Sequence, residues 1–77
     1  MKFHKVKEVS ALTDLKLSVQ FTNGTTKIYD VAPLMRRFSA FKILKDESLF
    51  RDVEVDQGGY GIIWNDDLDL SCDELWE

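Results

Sequence analysis

The sequence predicts an α+β fold in two layers, with antiparallel hairpins in the order β-β-β-α-β-β-α and short helices covering one face. Three observations predict it. Two runs of β-favouring residues flank Asn23-Gly24, and a second alternating pattern follows at residues 53–64. Between them, residues 33–50 carry apolar side chains interrupted by residues that favour helix starts.

The composition is that of one folded domain, which we expect to span residues 1–77. Hydrophobic residues make up 44% of the chain and charged residues 31%, a balance that disordered chains do not show. No run approaches the roughly 18 apolar residues of a membrane span, and no apolar signal-peptide core follows the first residues. We therefore expect a cytoplasmic protein with no membrane contact.

The first thirty residues predict a three-stranded meander. Residues 4–12 form the first strand, and Thr13-Asp14 is a turn into the central hairpin. Asn23-Gly24 favours a two-residue type I′ turn, because Asn tolerates φ > 0 and Gly adopts it without steric cost. Counting outward from that turn pairs Val19 with Ile28. One face of the hairpin is then apolar, formed by Leu15, Leu17, Val19, Phe21 and Ile28.

Short helices are predicted between residues 33 and 51. Pro33 suits the first position of a helical turn over 33–37, with the Asp30 carboxylate near its amino end. Ser39 and Asp46 are candidate N-caps of two further turns. The side chains expected to cover the apolar face of the hairpin are Phe38, Phe41, Leu44, Leu49 and Phe50.

The last third predicts a second hairpin. Residues 53–56 and 60–64 alternate as a fourth and a fifth strand, and Gly61 indicates a bulge or a close backbone neighbour. Residues 68–70 are a short extended piece, and residues 71–74 match a capping box before a last helical turn. We expect the largely buried residues to be Val19, Phe21, Ile28, Leu44, Phe50, Val55, Ile62 and Trp64.

The residues that carry catalysis or bind metals are scarce. Cys72 is the only cysteine and His4 the only histidine, so a cysteine-ligated zinc site is not expected, and most metal and triad chemistry is removed. Asp66, Asp67 and Asp69 lack the glycine and the distal glutamate of a calcium-binding EF-hand loop. The sequence therefore predicts no enzyme and no cofactor.

Charge is divided unevenly along the chain. All ten basic residues lie at or before Arg51, against five acidic ones, and from Asp52 onward there are nine acidic residues and no basic one. The acidic third either neutralises the basic part within the fold or presents a surface to a basic partner. For the second case, the predicted partner-binding residues are Glu54, Asp56, Asp66 and Asp67.

Direct nucleic-acid binding is not expected. The isoelectric point is about 4.9, and the aromatic residues fall at predicted core positions. No helix-turn-helix pattern fits within residues 33–51, because the helices there are too short.

Four motifs in order resemble one bacterial family. They are Val-x-Phe-x-Asn-Gly (19–24), Tyr-Asp-Val-x-Pro-Leu (29–34), Leu-Phe-x-x-Val-x-Val-Asp (49–56) and Gly-Tyr-Gly-Ile-x-Trp-x-x-x-x-Asp-Leu-x-x-Asp-Glu-Leu (59–75). The chain resembles the small α+β domain of unknown function 2442. The resemblance implies a domain that precedes a helix-turn-helix module in longer proteins, or that is encoded beside another small protein in an arrangement similar to a toxin–antitoxin pair. It implies no catalytic residues.

Taken together, the sequence favours a non-enzymatic protein-interaction module, an antitoxin-like half of a two-gene pair. Its expected partner is another small, basic protein, and a homodimer is compatible with these features. The alternative is a regulatory or ligand-sensing domain that acts with a DNA-binding partner.

Overall fold

The computed structural model describes residues 4–76, which form two three-stranded antiparallel sheets and several short helices. The first sheet contains β1 (Val6–Ala11), β2 (Lys16–Phe21) and β3 (Thr26–Asp30), and the second contains β4 (Glu54–Val55), β5 (Gly61–Asn65) and β6 (Leu68–Ser71). The helices are α1 (Ala32–Arg37), a 3-10 helix (Ser39–Lys45), α2 (Glu47–Arg51), a 3-10 turn (Gln57–Gly59) and α3 (Cys72–Trp76). The predicted α+β class and element order are confirmed. The short extended piece expected near residue 70 is a full sixth strand, because it pairs along β5.

The central hairpin has a three-residue loop, so the predicted type I′ turn and its register are wrong. The Phe21 N–H donates to the Thr25 carbonyl oxygen at 2.8 Å, and the Gly24 N–H donates to the Phe21 carbonyl oxygen at 3.0 Å. Of the two expected turn residues, only Gly24 has a positive φ, at +90°. This loop is a type I turn closed by a left-handed glycine, which holds one residue more than a type I′ turn.

The extra loop residue shifts β3 by one position, so its two faces exchange. Val19 pairs with Lys27 and Ser18 with Ile28. Ile28 is therefore 59% exposed, and its predicted burial is wrong. Lys27 takes the inward position, where its Nζ lies 4.3 Å from the ring centroid of Trp76 and donates to the Trp76 carbonyl oxygen. Lys27 can thus be partly buried while its ammonium group is bonded to α3.

The turn between β1 and β2 is centred on Asp14-Leu15, one residue after the predicted Thr13-Asp14. Asp14 and Leu15 both have φ of 59°, the left-handed conformation at both central positions of a type I′ turn. A leucine in this conformation is an outlier, since its side chain crowds the backbone. The Leu15 side chain is partly buried and packs against the core in this conformation.

The core is built from residues of both sheets and of the helices. Six of the eight residues predicted to be largely buried are buried, Val55 is partly buried, and Ile28 is exposed. Trp64 satisfies its polar group there, since its Nε1–H donates to the Phe50 carbonyl oxygen at 3.1 Å. The buried core residues include Val6, Leu17, Val19, Phe21, Val31, Leu34, Leu44, Phe50, Ile62, Trp64, Leu68, Leu70, Cys72 and Leu75.

The predicted helix starts are confirmed at two positions and wrong at a third. The Asp30 carboxylate accepts from the Ala32 N–H at 3.1 Å, and that of Asp46 accepts from the N–H groups two and three residues later. Ser39 is not an N-cap: Phe38 occupies that position in an extended conformation, and no side chain caps the 3-10 helix. Phe38 is consequently 48% exposed and does not cover the hairpin. Phe41 and Leu49, expected beside it, are partly buried.

β5 and β6 approach each other closely at Gly61, shortly before α3 begins. A Cβ on Gly61 would lie 2.3 Å from the Leu70 carbonyl oxygen, which confirms the expected close neighbour. Ser71 starts α3, and its Oγ accepts from the Glu74 N–H at 3.2 Å, the first bond of the expected capping box. Within residues 4–76, every helix is too short to span a bilayer.

Candidate interaction surface

The second sheet has one buried and one exposed side. Glu54 and Asp69 both pair with Ile63, one from each neighbouring strand, so the three side chains project from the same side of the sheet. Adjacent strands lie about 4.8 Å apart, so the Cα atoms of Glu54 and Asp69 are roughly 10 Å apart. Both carboxylates are exposed, with the half-buried Ile63 between them. The neighbouring row of Val55, Ile62 and Leu70 points into the core.

The turn between β5 and β6 adds two further carboxylates at one end of this sheet. Asn65 pairs with Leu68, which leaves Asp66 and Asp67 as the loop. The Asn65 Oδ1 accepts from the Asp67 N–H at 2.9 Å and fixes the loop, and both aspartates are exposed. We call the four residues Glu54, Asp66, Asp67 and Asp69 the acidic face.

Asp56 lies away from Asp66 and Asp67. Its backbone N–H donates to the Gly61 carbonyl oxygen, which places Asp56 beside the first residue of β5, whereas Asp66 and Asp67 follow the last. The five residues of β5 span about 13 Å. Asp56 is half-buried, and its carboxylate accepts from the Gln57 N–H at 2.8 Å, so it caps a local turn.

Asp69 is the member of the acidic face that the prediction of partner-binding residues left out. The signal was present in the sequence, because Leu68, Asp69 and Leu70 alternate as a half-buried strand does. Treating this stretch as a short extended piece after a turn obscured which face Asp69 occupies.

The carboxylates that the structure describes in the last third are not paired with basic side chains. Among residues 4–76, the one ion pair joins Arg51 to Glu47 within α2, at 2.8 Å. The Lys5 Nζ lies 5.0 Å from the ring centroid of Tyr60 and forms no described ion pair. Neutralisation of the acidic third therefore does not occur through direct contacts in the described part of the chain.

The residues with the most catalytic potential are engaged in packing. Cys72 is buried in the core at the start of α3. His4 stacks on Trp76 with 3.7 Å between ring centroids and 5° between ring planes. No group of three His, Cys, Asp or Glu side chains able to hold a metal ion is found between residues 4 and 76.

A small open cavity lies where the β1–β2 turn approaches the 3-10 helix and α2. Its volume is about 240 Å³. Leu15, Leu44 and Phe50 supply apolar walls, and Asp14 and Lys45 contribute opposite charges. The strained Asp14-Leu15 turn therefore forms one wall of a cavity, and strained backbone often occurs at ligand sites.

Comparison with known proteins assigns the family. A family model described as "Protein of unknown function (DUF2442)" matches residues 6–77, nearly the whole chain, and the chain belongs to this family. No curated protein and no solved structure matches it.

Proposed function

We propose that this member of the DUF2442 family is a non-enzymatic protein-interaction module that binds a basic partner protein through its acidic face. In this proposal the partner is the small protein encoded beside it, and the chain is the antitoxin-like half of the pair, acting in the cytoplasm. The single observation that carries the proposal is the set of exposed carboxylates without a basic partner on one side of the second sheet and in its β5–β6 turn.

The sheet supports such a role because it holds the charges in fixed positions. Glu54 and Asp69 are separated by one strand, and the loop carrying Asp66 and Asp67 is pinned by Asn65. Unpaired carboxylates in fixed positions attract a basic surface at long range and orient it as it approaches. Ile63 between them provides apolar area that a partner can bury.

Neutralising the acidic face tests the proposal. The test variant carries Glu54→Gln, Asp66→Asn, Asp67→Asn and Asp69→Asn, and binding to the neighbouring gene's product is measured by isothermal titration calorimetry. We expect affinity to fall by about tenfold or more, because several complementary charges are lost together. Each exposed charge contributes only about 0–1 kcal/mol to stability, so the melting temperature should change little.

A control variant neutralises the same number of carboxylates at positions outside the acidic face. It carries Glu8→Gln, Asp14→Asn, Asp52→Asn and Asp73→Asn, all at exposed positions outside the acidic face. Affinity close to that of the wild type is expected for this control. Equal losses in both variants would show that net charge alone matters, and wild-type affinity in the test variant would remove the acidic face from the interface.

A second candidate function is ligand sensing together with a DNA-binding partner, and the cavity beside Leu15 favours it. A cavity of about 240 Å³ is somewhat smaller than most small-molecule sites and suits a compact amphipathic metabolite. A panel of amino acids and short-chain carboxylates is screened by the shift in melting temperature. A shift in the wild type that disappears in Thr13→Trp, which fills the opening, supports this function, and no shift across the panel counts against it.

A further inference from the structure

A second exposed surface has the opposite charge. It is formed at the end of α1 and along the 3-10 helix, and we call it the basic apolar surface. Its two large apolar side chains, Phe38 and Ile43, are 48% and 49% exposed. Its four basic side chains, all exposed, are Arg36, Arg37, Lys42 and Lys45.

The 3-10 helix explains why Ile43 points outward. With three residues per turn, side chains three apart lie in one column along the helix. Phe41 and Leu44 form the inward column, partly and fully buried respectively. Ile43 therefore falls in an exposed column, and Lys42 and Lys45 share the other.

Phe38 is held at the surface by aromatic contacts. Its ring centroid lies 6.3 Å from that of Phe41, which in turn meets Trp64 edge-on at 6.3 Å. The Arg37 guanidinium carbon lies 5.4 Å from the centroid of the Phe38 ring. An exposed aromatic ring backed by a rigid core loses little conformational entropy when a partner covers it, which is typical of binding hot spots.

The charges around these apolar residues select the partner. No acidic residue occurs between residues 31 and 45, and none of the four cations forms a described ion pair, while Lys45 also lines the cavity that Asp14 and Glu47 line. A nucleic acid would be repelled by the rest of a chain whose net charge is −4, and the aliphatic Ile43 offers no stacking plane. An acidic polypeptide with apolar side chains matches both the cations and the exposed Phe38 and Ile43.

The basic apolar surface and the acidic face lie on opposite sides of the second sheet. Phe41 contacts Trp64, whose side chain is buried in the core, whereas Ile63 lies among the carboxylates of the acidic face. Successive residues of a strand point to opposite sides. Occupation of one surface therefore leaves the other open.

We propose that the basic apolar surface binds a second partner protein, through a short segment that carries carboxylates around one or two large apolar side chains. The chain then joins two proteins of opposite charge. This inference goes beyond the proposed function and does not depend on it.

A fluorescein-labelled peptide tests this proposal by fluorescence anisotropy with the intact chain. The peptide has twelve residues, with Asp and Glu around two Leu and one Phe. We expect saturable binding that weakens about tenfold or more in the double variant Phe38→Ser, Ile43→Ser, and in Arg37→Glu, Lys42→Glu. Because Phe38 and Ile43 are about half exposed, these variants are expected to keep the fold, which circular dichroism checks.

Matched controls alter the same residue types elsewhere. Ile28→Ser removes an apolar side chain that is 59% exposed on the first sheet. The double variant Lys7→Glu, Lys16→Glu reverses the charge at two exposed positions. Both controls should bind the peptide as the wild type does. A peptide with Ser replacing Leu and Phe should bind at least about tenfold more weakly, since carboxylates alone leave the apolar residues uncovered.

Three results would overturn the proposal. The first is absence of saturable peptide binding, and the second is binding that Phe38→Ser, Ile43→Ser leaves unchanged. The third is evidence that another ligand uses this surface. That evidence would be tighter binding of labelled oligo-dT or oligo-U than of the peptide, or self-association, measured by sedimentation, that the double variant Phe38→Ser, Ile43→Ser abolishes. The acidic-face variant is predicted to bind the peptide normally, so failure here and failure of the proposed function are distinguishable.

Discussion

Replacing Gly61 with alanine should weaken the second sheet strongly. The new Cβ would lie 2.3 Å from the Leu70 carbonyl oxygen, whereas ordinary contacts begin at 3.4 Å. β5 and β6 must therefore separate by about 1 Å. This separation strains the neighbouring hydrogen bond that the Cys72 N–H donates to the Tyr60 carbonyl oxygen at 2.7 Å. Overpacking costs about 1–3 kcal/mol and a weakened hydrogen bond about 1 more, so we expect a loss of about 2–4 kcal/mol.

Differential scanning calorimetry measures this loss as a fall in melting temperature of about 10–25 °C for a domain of this size. Gly24→Ala is the matched control: Gly24 has φ of +90°, but nothing lies within 4 Å of an added Cβ. Its cost is conformational only, about 1–2 kcal/mol. A melting temperature for Gly61→Ala equal to or above that of Gly24→Ala would refute the close approach of the two strands.

Two further predictions concern the core and the pH dependence of stability. Phe50→Ala should lower the free energy of unfolding by about 3–5 kcal/mol because Phe50 is 3% exposed, whereas Ile28→Ala should change it by less than about 0.5 kcal/mol. Chemical denaturation measures both losses. A larger loss for Ile28→Ala than for Phe50→Ala would support the register that places Ile28 in the core. Burial first, and then the Glu74 carboxylate, raise the pKa of Tyr29 above its ordinary value of 10.0. The unfolded phenol then loses its proton before the folded one, so stability is full below pH 10 and falls as pH rises through the folded pKa. Melting temperatures from about pH 9 to about pH 11 should fall less steeply in Tyr29→Phe than in the wild type, and parallel curves would argue against the raised pKa.

The sequence located the central hairpin, but not its register. Asn23-Gly24 is compatible with a two-residue type I′ turn and with the second and third positions of a three-residue loop that starts at Thr22, since both place glycine in a positive-φ position. The residues of β3 alternate equally well in either register. The contact of Lys27 with Trp76, 49 residues away, favours the observed one, and local patterns carry no information on such a contact.

The helical region shows the same limit. Phe41 and Leu44 are three residues apart, a spacing compatible with an α-helix and with a 3-10 helix. Both geometries turn Ile43 away from the side that carries Phe41 and Leu44. The basic apolar surface was not predicted because Phe38, which is 48% exposed, was expected to cover the hairpin.

The acidic face was predicted in part. Counting alone marks residues 52–77 as acidic, and strand alternation predicts that Glu54 lies on the exposed side of its strand, with Asp66 and Asp67 in the turn beside it. The position of Asp56 depended on the length of β4, which is two residues rather than the four expected. Asp69 joins the face through its pairing with Ile63, a cross-strand relation that requires the register.

The association rate with the neighbouring gene's product, measured across ionic strength, tests the docking role of the acidic face most directly. Stopped-flow or surface plasmon resonance compares the wild type with the variant Glu54→Gln, Asp66→Asn, Asp67→Asn, Asp69→Asn from about 20 mM to about 500 mM salt. Wild-type association should be fast at low salt and slow steeply as salt rises, while the variant should be slower at low salt and show a shallower slope. The two curves should converge at high salt, where screening removes steering. Equal association rates and equal salt slopes in both proteins would contradict the claim.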